Sequence, residues 1–152
     1  MITAVDTCIL IDVFQGTGDF ALPSAQALSQ ARRDGQLIIC ELVYAELAAF
    51  AEAQPVLDGL LAELGVQVVE LGLDAAFTAG LAFARYRRSG GERRHIIADF
   101  VIAAHAQHYA SRLLTRDRGY SGAVFSGLAI LDPSGLERNN AQGSRGYFPK
   151  NS

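Results

Sequence analysis

The chain of 152 residues carries 16 acidic and 13 basic side chains for a formal net charge of −3, which argues against a protein that holds a polyanion by an overall positive field. Half of its residues are apolar and 19% are charged, a balance too apolar for a disordered chain and normal for one domain with one core. No uncharged apolar run approaches the roughly 18 residues that cross a bilayer, and the N-terminus MITAVDTCIL lacks a basic segment and soon meets an acid, so neither a membrane span nor a secretory signal is expected and the protein is expected in the cytoplasm.

In chain order, the first short apolar run is ITAV (2–5), followed by LIIC (37–40), VQVV (66–69), RLLT (112–115) and LAIL (128–131). None alternates clearly, which suits strands buried on both faces. Between them lie segments apolar at helical spacing: a short one near 8–15, then 20–34, 41–53, 55–64, 73–88 and 95–110. Strands alternating with helices predict a parallel α/β sheet covered by helices on both sides. Gly35, Gly65, Gly72 and the pair Gly90-Gly91 fall at the boundaries, as caps and turns do. From Glu137 the chain turns polar, ERNNAQGSRGYFPKNS. The domain is therefore expected over 1–136, with 137–152 a loosely ordered polar tail. Cys8 and Cys40 have apolar neighbours and no CxxC spacing, which predicts buried free thiols rather than a disulfide or a zinc site.

In an open parallel sheet, ligands bind at the carboxyl ends of the strands, where the strand order reverses. Asp6 directly follows the first strand, and Asp117 follows RLLT by one residue, so both are expected at the same sheet edge. Helical spacing in ELVYAELAAFAEA puts Glu46 on a stripe with Leu42, Val43, Ala49, Phe50 and Ala53, facing inward. Asp99 repeats the pattern inside HIIADFVIAAHAQ, sharing a stripe with His95, Ile96, Ile102, Ala103 and Ala106. Asp is also a preferred N-cap, so a helix beginning at Asp99 is the competing explanation for that residue; Ile102, three positions on, leaves no capping box for such a start. Four inward or edge-facing carboxylates repel one another unless a cation joins them. All-oxygen ligation favours Mg²⁺ or Mn²⁺, ions that polarise phosphoryl oxygens and activate water.

The segments AVDTCILIDVF around Asp6, CELVYAEL ending in Glu46-Leu47, IIADFVIAAHA around Asp99 and LLTRDRGY with Thr115 and Asp117 resemble the PIN-domain ribonucleases, and within them the VapC toxins of VapBC toxin–antitoxin systems. They occur in that family's order, over residues 2 to about 133. The resemblance implies a three-layer α/β/α sandwich with a central parallel sheet of four to five strands. It further implies Mg²⁺-dependent endonucleolytic cleavage of RNA with Mn²⁺ as a substitute, a homodimer, and inhibition by a VapB-type antitoxin. Carried over by position, Asp6, Asp99 and Asp117 resemble metal ligands and Glu46 the fourth acid, binding the metal or its water. Thr115 would position Asp117 or a phosphate, and Thr7 would do similar work beside Asp6. Two departures stand out: Cys40 where many relatives carry Ser or Thr, and Gly119 where some carry a further acid, which leaves one metal or two open.

RYRRSGGERRH (85–95) places several arginines just ahead of the Asp99 segment. Arg87, Arg88, Arg93 and Arg94 are candidates to hold RNA phosphates, against the alternative of a solvated helix end. His105 and His108 are three apart on a helix, but with no third ligand apparent, ordinary polar contacts are expected of them. Two other functions share the architecture. A Mg²⁺-dependent phosphohydrolase with a phosphorylated Asp6 commonly needs a second Asp two residues on and a lysine; position 8 is Cys and the only lysine is Lys150. A non-catalytic PIN-like module binding RNA or protein should have lost at least one of the four acids, and all four are present.

Overall fold

The structure is a computed structural model that describes residues 1–90, 96–120, 125–133 and the backbone of 137–139. Strand β1 (Ile2–Val5) runs into helix α1 (Thr7–Gln15) and helix α2 (Ala21–Asp34). Strand β2 (Gln36–Ile39) leads to α3 (Glu41–Ala48) and α4 (Gln54–Leu64), and β3 (Val66–Val68) to α5 (Leu73–Arg88). Helix α6 (Ile97–Tyr109), β4 (Arg112–Leu114), a 3₁₀ turn (Arg118–Tyr120), β5 (Ala129–Leu131) and β6 (Glu137–Asn139) follow among the described residues. The sheet order is β3-β2-β1-β4-β5-β6. The first five strands pair in parallel and β6 pairs antiparallel to β5. The predicted α/β sandwich is what forms, with an antiparallel edge strand at residues 137–139, where a loosely ordered tail is expected from the polar sequence. Residues 140–152 lie outside the described ones.

The topology decides where chemistry can happen. After β1 the chain builds β2 and β3 on one side, then returns to lay β4 and β5 on the other. Strand order therefore reverses between β1 and β4, and the loops at their carboxyl ends part there to leave a crevice. Register fixes the two strands closely: Thr3 pairs with Arg112, Ala4 with Leu113 and Val5 with Leu114. The core is mostly aliphatic, with Ile9, Leu10, Leu37, Leu47, Leu57, Leu113 and Leu114 excluded from solvent.

Helix α6 packs on β1 and β4, and its fully buried Phe100 holds an aromatic cluster. Phe83 and Tyr86 of α5 and Phe125 lie with ring centroids 5.4, 5.4 and 5.2 Å away. That cluster seats α6, and with it Asp99, against the sheet. Gly65 ends α4 at φ +72°, a left-handed cap that glycine enters without steric cost. Gly35 is needed for a different reason: a Cβ there would stand 1.9 Å from the Met1 carbonyl oxygen. One buried cation belongs to the scaffold. Arg112 donates to Thr3 Oγ1 at 2.9 Å and to Asp34 Oδ2 at 2.7 Å, and this holds the Asp34 carboxyl below its usual range.

Candidate metal centre

Asp6 is placed by both its strand and its helix. Its backbone N–H donates to Leu114 O across the β1–β4 pair at 3.0 Å, while its own extended backbone makes it the N-cap of α1. Its Oδ1 accepts from Thr7 N at 2.7 Å, which uses one of the helix's unpaired first donors. Its Oδ2 accepts from the Thr115 hydroxyl at 2.6 Å and from the Cys8 thiol at 3.5 Å. The residue is only 7% exposed.

Thr115 is a hub between two acids. Buried at the end of β4, it gives its proton to Asp6 and accepts from Asp117 N at 3.0 Å. Asp117 then turns its Oδ1 to Gly119 N at 2.8 Å, closing the loop on itself. The Thr7 hydroxyl donates to Glu46 Oε2, so the start of α1 is linked to α3 as well.

Glu46 is half-buried, but for a different reason than its expected inward stripe. Helix α3 stops at Ala48, its core-facing residues are Val43 and Leu47, and Ala49, Phe50 and Ala53 are exposed. Glu46 flanks that buried face and points into the crevice. Cys40 is the N-cap of α3 and makes no capping bond with its side chain, whereas a Ser or Thr hydroxyl there could accept from a first-turn N–H.

Asp99 is not an N-cap. The helix begins three residues earlier than that reading requires, with Ile96 as N-cap, and Asp99 occupies the third helical position. Its Oδ2 accepts from Ile96 N at 3.1 Å, the reciprocal half of a capping box. Asp99 therefore faces the crevice and supports its helix at once, but as the third helical residue and not as the N-cap.

Asp6, Thr7, Cys8, Glu46, Asp99 and Asp117 together line one cleft of about 530 Å³, with Ile11, Ala49, Phe50 and Ile102 as its apolar wall. All four predicted acids reach it. Among the described residues, no three acids stand close enough to form a closed ligand cage. Asp99 and Asp117 each give an oxygen to a backbone N–H instead, which offsets part of the repulsion that would follow from crowding them. The donor set still fits a hard cation: carboxylate oxygens from the end of β1, from α3, from the first turn of α6 and from the loop after β4, all on one cleft. The one sulfur stays a neutral thiol, because burial and then the Asp6 charge push Cys8 up to about 12.

Burial is also the main influence on Asp6. It raises the carboxyl from 3.8 to about 6, against the lowering effect of the Thr115, Thr7 and Cys8 hydrogen bonds, and the Asp117 charge adds to the rise. A raised acid holds its proton better folded than unfolded. Its contribution to stability is present below about pH 4 and is lost as pH climbs through about 6, a span of about 2–3 kcal/mol. Chemical denaturation of the protein in chelator should show this loss between about pH 4 and 7, and the Asp6→Asn variant should lack it. Identical pH profiles for the two proteins would contradict the assignment.

The other predicted residues separate clearly. Arg87 and Arg88 lie exposed in the last turn of α5, Arg87 over the Phe83 ring at 5.7 Å, and neither lines the cleft. Arg93 and Arg94 lie outside the described residues. His105 is buried against Val69 O at 3.0 Å and His108 meets Thr78 Oγ1 at 3.0 Å, the ordinary contacts expected of them. Sequence reasoning missed Asp12 and Arg116, which pair beside the site, and it read Cys8 only as a core thiol. Arg116 standing between Thr115 and Asp117 was the available signal.

At the strand reversal of this parallel α/β sandwich, four carboxylates line one cleft. A family model described as the PIN domain matches residues 3–125, and the chain belongs to that family. Solved structures that share its fold include three toxin–antitoxin complexes. VapBC2 from Rickettsia felis bound to a promoter DNA fragment is 17% identical, with 87% of this chain and 98% of that chain covered and a TM-score of 0.66. A toxin–antitoxin complex from Klebsiella pneumoniae is 23% identical over 86% and 97%, with a TM-score of 0.64. VapBC-1 from nontypeable Haemophilus influenzae is 19% identical over 88% and 99%, with a TM-score of 0.66. A search of curated proteins returned no match.

Proposed function

We propose that the protein is the toxin of a toxin–antitoxin pair and a Mg²⁺-dependent endoribonuclease, with Mn²⁺ able to substitute. The observation that carries this reading is the convergence of Asp6, Glu46, Asp99 and Asp117 on one cleft at the strand reversal of a PIN domain. Asp6, Asp99 and Asp117 would hold the cation, with Glu46 as the fourth acid. When bound, the ion supplies positive charge at a phosphoryl oxygen and makes water a stronger acid. The protein's own residues do the rest. Thr115 holds Asp6 charged and oriented, and Thr7 fixes one oxygen of Glu46 so that the other is available to take a proton from the attacking water. The ion also offsets the negative charge of the acids and of the scissile phosphate, which accounts for an acidic chain acting on RNA.

Purified protein should cleave RNA with Mg²⁺ or Mn²⁺ and stop in chelator. Undiminished cleavage in excess EDTA, with contaminating nuclease excluded, would overturn the mechanism. Mn²⁺ binding without any cleavage would favour a binding module instead. Likeness in fold to toxin–antitoxin complexes supports a small VapB-type partner. An arginine of that partner reaching the acids would replace metal charge with guanidinium charge. The adjacent open reading frame's product should bind the chain and suppress cleavage.

A homodimer is supported by the outer face of α5, where Leu73, Phe77 and Leu81 are 88%, 69% and 41% exposed at intervals of four residues. Exposed apolar stripes of this kind mark association surfaces. Phe77→Asp should give a monomer by light scattering with the fold retained; a wild-type protein that is already monomeric at high concentration would remove this part of the reading. Among the described residues no helix is long and apolar enough to cross a membrane.

A further inference from the structure

We propose that Arg116 is a positioning residue: its ion pair with Asp12 sets the separation between the Asp6 end of the cleft and the loop that carries Asp117. The proposal rests on the reading of those acids as a cation site.

Neighbouring side chains diverge at this loop. Asp117 lines the cleft, whereas Arg116 turns away and reaches helix α1. Its Nε stands 2.9 Å from Asp12 Oδ2 and its Nη2 3.3 Å from Asp12 Oδ1, a two-pronged grip that fixes orientation as well as distance. Asp12 is itself held: Ser24 of α2 donates to its Oδ2 at 2.7 Å. The Phe20 ring lies under the guanidinium, with Cζ 4.7 Å from the centroid, which restrains the arginine from a second direction. A cationic residue beside the acids is therefore held by the scaffold, through Asp12 and the Phe20 ring.

The consequence lies in which helix it grips. Helix α1 is the helix that Asp6 caps. Beyond the strand pairing, the Asp117 loop is thus tied to the Asp6 element on two sides, by the Thr115 hydroxyl with Asp6 and Cys8 on the cleft side and by the Arg116–Asp12 pair behind it. Ties on one side leave a loop free to pivot, whereas ties on both sides fix it. Small hard cations demand near-ideal ligand placement, so a loop free to pivot loses affinity.

A purely structural ion pair would explain the same contacts, and the two roles come apart in a double variant. Arg116→Gln leaves the nearly buried Asp12 charge without its partner and should lower the melting temperature. Adding Asp12→Asn removes that uncompensated charge, and stability should recover. Positioning does not recover, because the two-pronged grip is gone. The folded double variant should bind Mn²⁺ about tenfold more weakly by calorimetry, with kcat for RNA cleavage reduced and KM little changed. Arg116→Lys keeps the charge beside Asp12 but loses the fork. It should melt near wild type and still bind Mn²⁺ more weakly, which provides the test if the double variant does not fold. A stable double variant or Arg116→Lys protein with wild-type Mn²⁺ affinity overturns the clamp alone. A wild-type protein that takes up no Mn²⁺ overturns the cation reading and the clamp with it.

Discussion

Asp6→Asn is expected to lower cation-dependent RNA cleavage by about a thousandfold while leaving the metal-free fold at least as stable as wild type. The first half follows from charge: an ion contributes several kcal/mol at a phosphoryl transition state, and each ~1.4 kcal/mol lost is tenfold in rate. The second half follows from burial. Asp6 is nearly enclosed and its carboxyl is pushed up to about 6 chiefly by desolvation, so at neutral pH the folded protein keeps a charge it would be more stable without. Asparagine keeps the shape and can still accept from Thr7 N. Its amide meets the Thr115 oxygen, which can rotate its own proton away while continuing to accept from Asp117 N. Added Mg²⁺ should raise the melting temperature of the wild type and not of the variant, since a ligand stabilises only the state that binds it. Thermal melts with and without Mg²⁺, beside a cleavage assay, test both halves. A variant that cleaves at wild-type rate would remove Asp6 from the site, and one that is strongly destabilised would contradict the desolvation argument.

Asp99 needs two substitutions, because the structure gives it two tasks. It accepts from Ile96 N in the first turn of α6 and it faces the cleft. Asp99→Asn retains an acceptor for Ile96 N but not the charge. Stability should stay near wild type, and cleavage should fall by about a hundredfold or more, the loss of ~3 kcal/mol or more of charge stabilisation. Asp99→Ala removes the acceptor too and should cost a further ~1 kcal/mol, the usual size of a lost cap. Part of that cost will be returned in metal-free protein by relief of repulsion from the other acids. Chemical denaturation in chelator measures the capping contribution, and single-turnover cleavage measures the other. A fully active Asp99→Asn protein would leave Asp99 with the cap alone.

Much of this protein is determined locally and could be read without the fold. Apolar runs of strand length alternating with helical stripes specify the layered α/β arrangement, because burial on two faces and burial on one impose different periodicities. Asp6 and Asp117 were legible because a strand end is a local feature and an acid beside it stands out against aliphatic neighbours. Glu46 and Asp99 were legible as members of the site, but their geometry was not. Glu46 lines the cleft from the flank of the buried Val43 and Leu47, and Asp99 is the third helical residue because Ile96 takes the cap; a helix boundary is settled by competition among neighbouring caps and by packing, which periodicity does not record.

Tertiary structure alone decided the rest. Pairing of β1 with β4 joins residues more than a hundred positions apart, and only that adjacency puts Thr115 within 2.6 Å of Asp6. The same long-range closure brings Arg116 to Asp12 and makes the Cys8 thiol a donor into the site. It also leaves the conspicuous Arg87 and Arg88 on a helix end away from the cleft, and it recruits residues 137–139 as an antiparallel edge strand. Composition and spacing specify which side chains a segment buries; which of them meet is set by strand order and register, and those are chosen by the free energy of the packed whole.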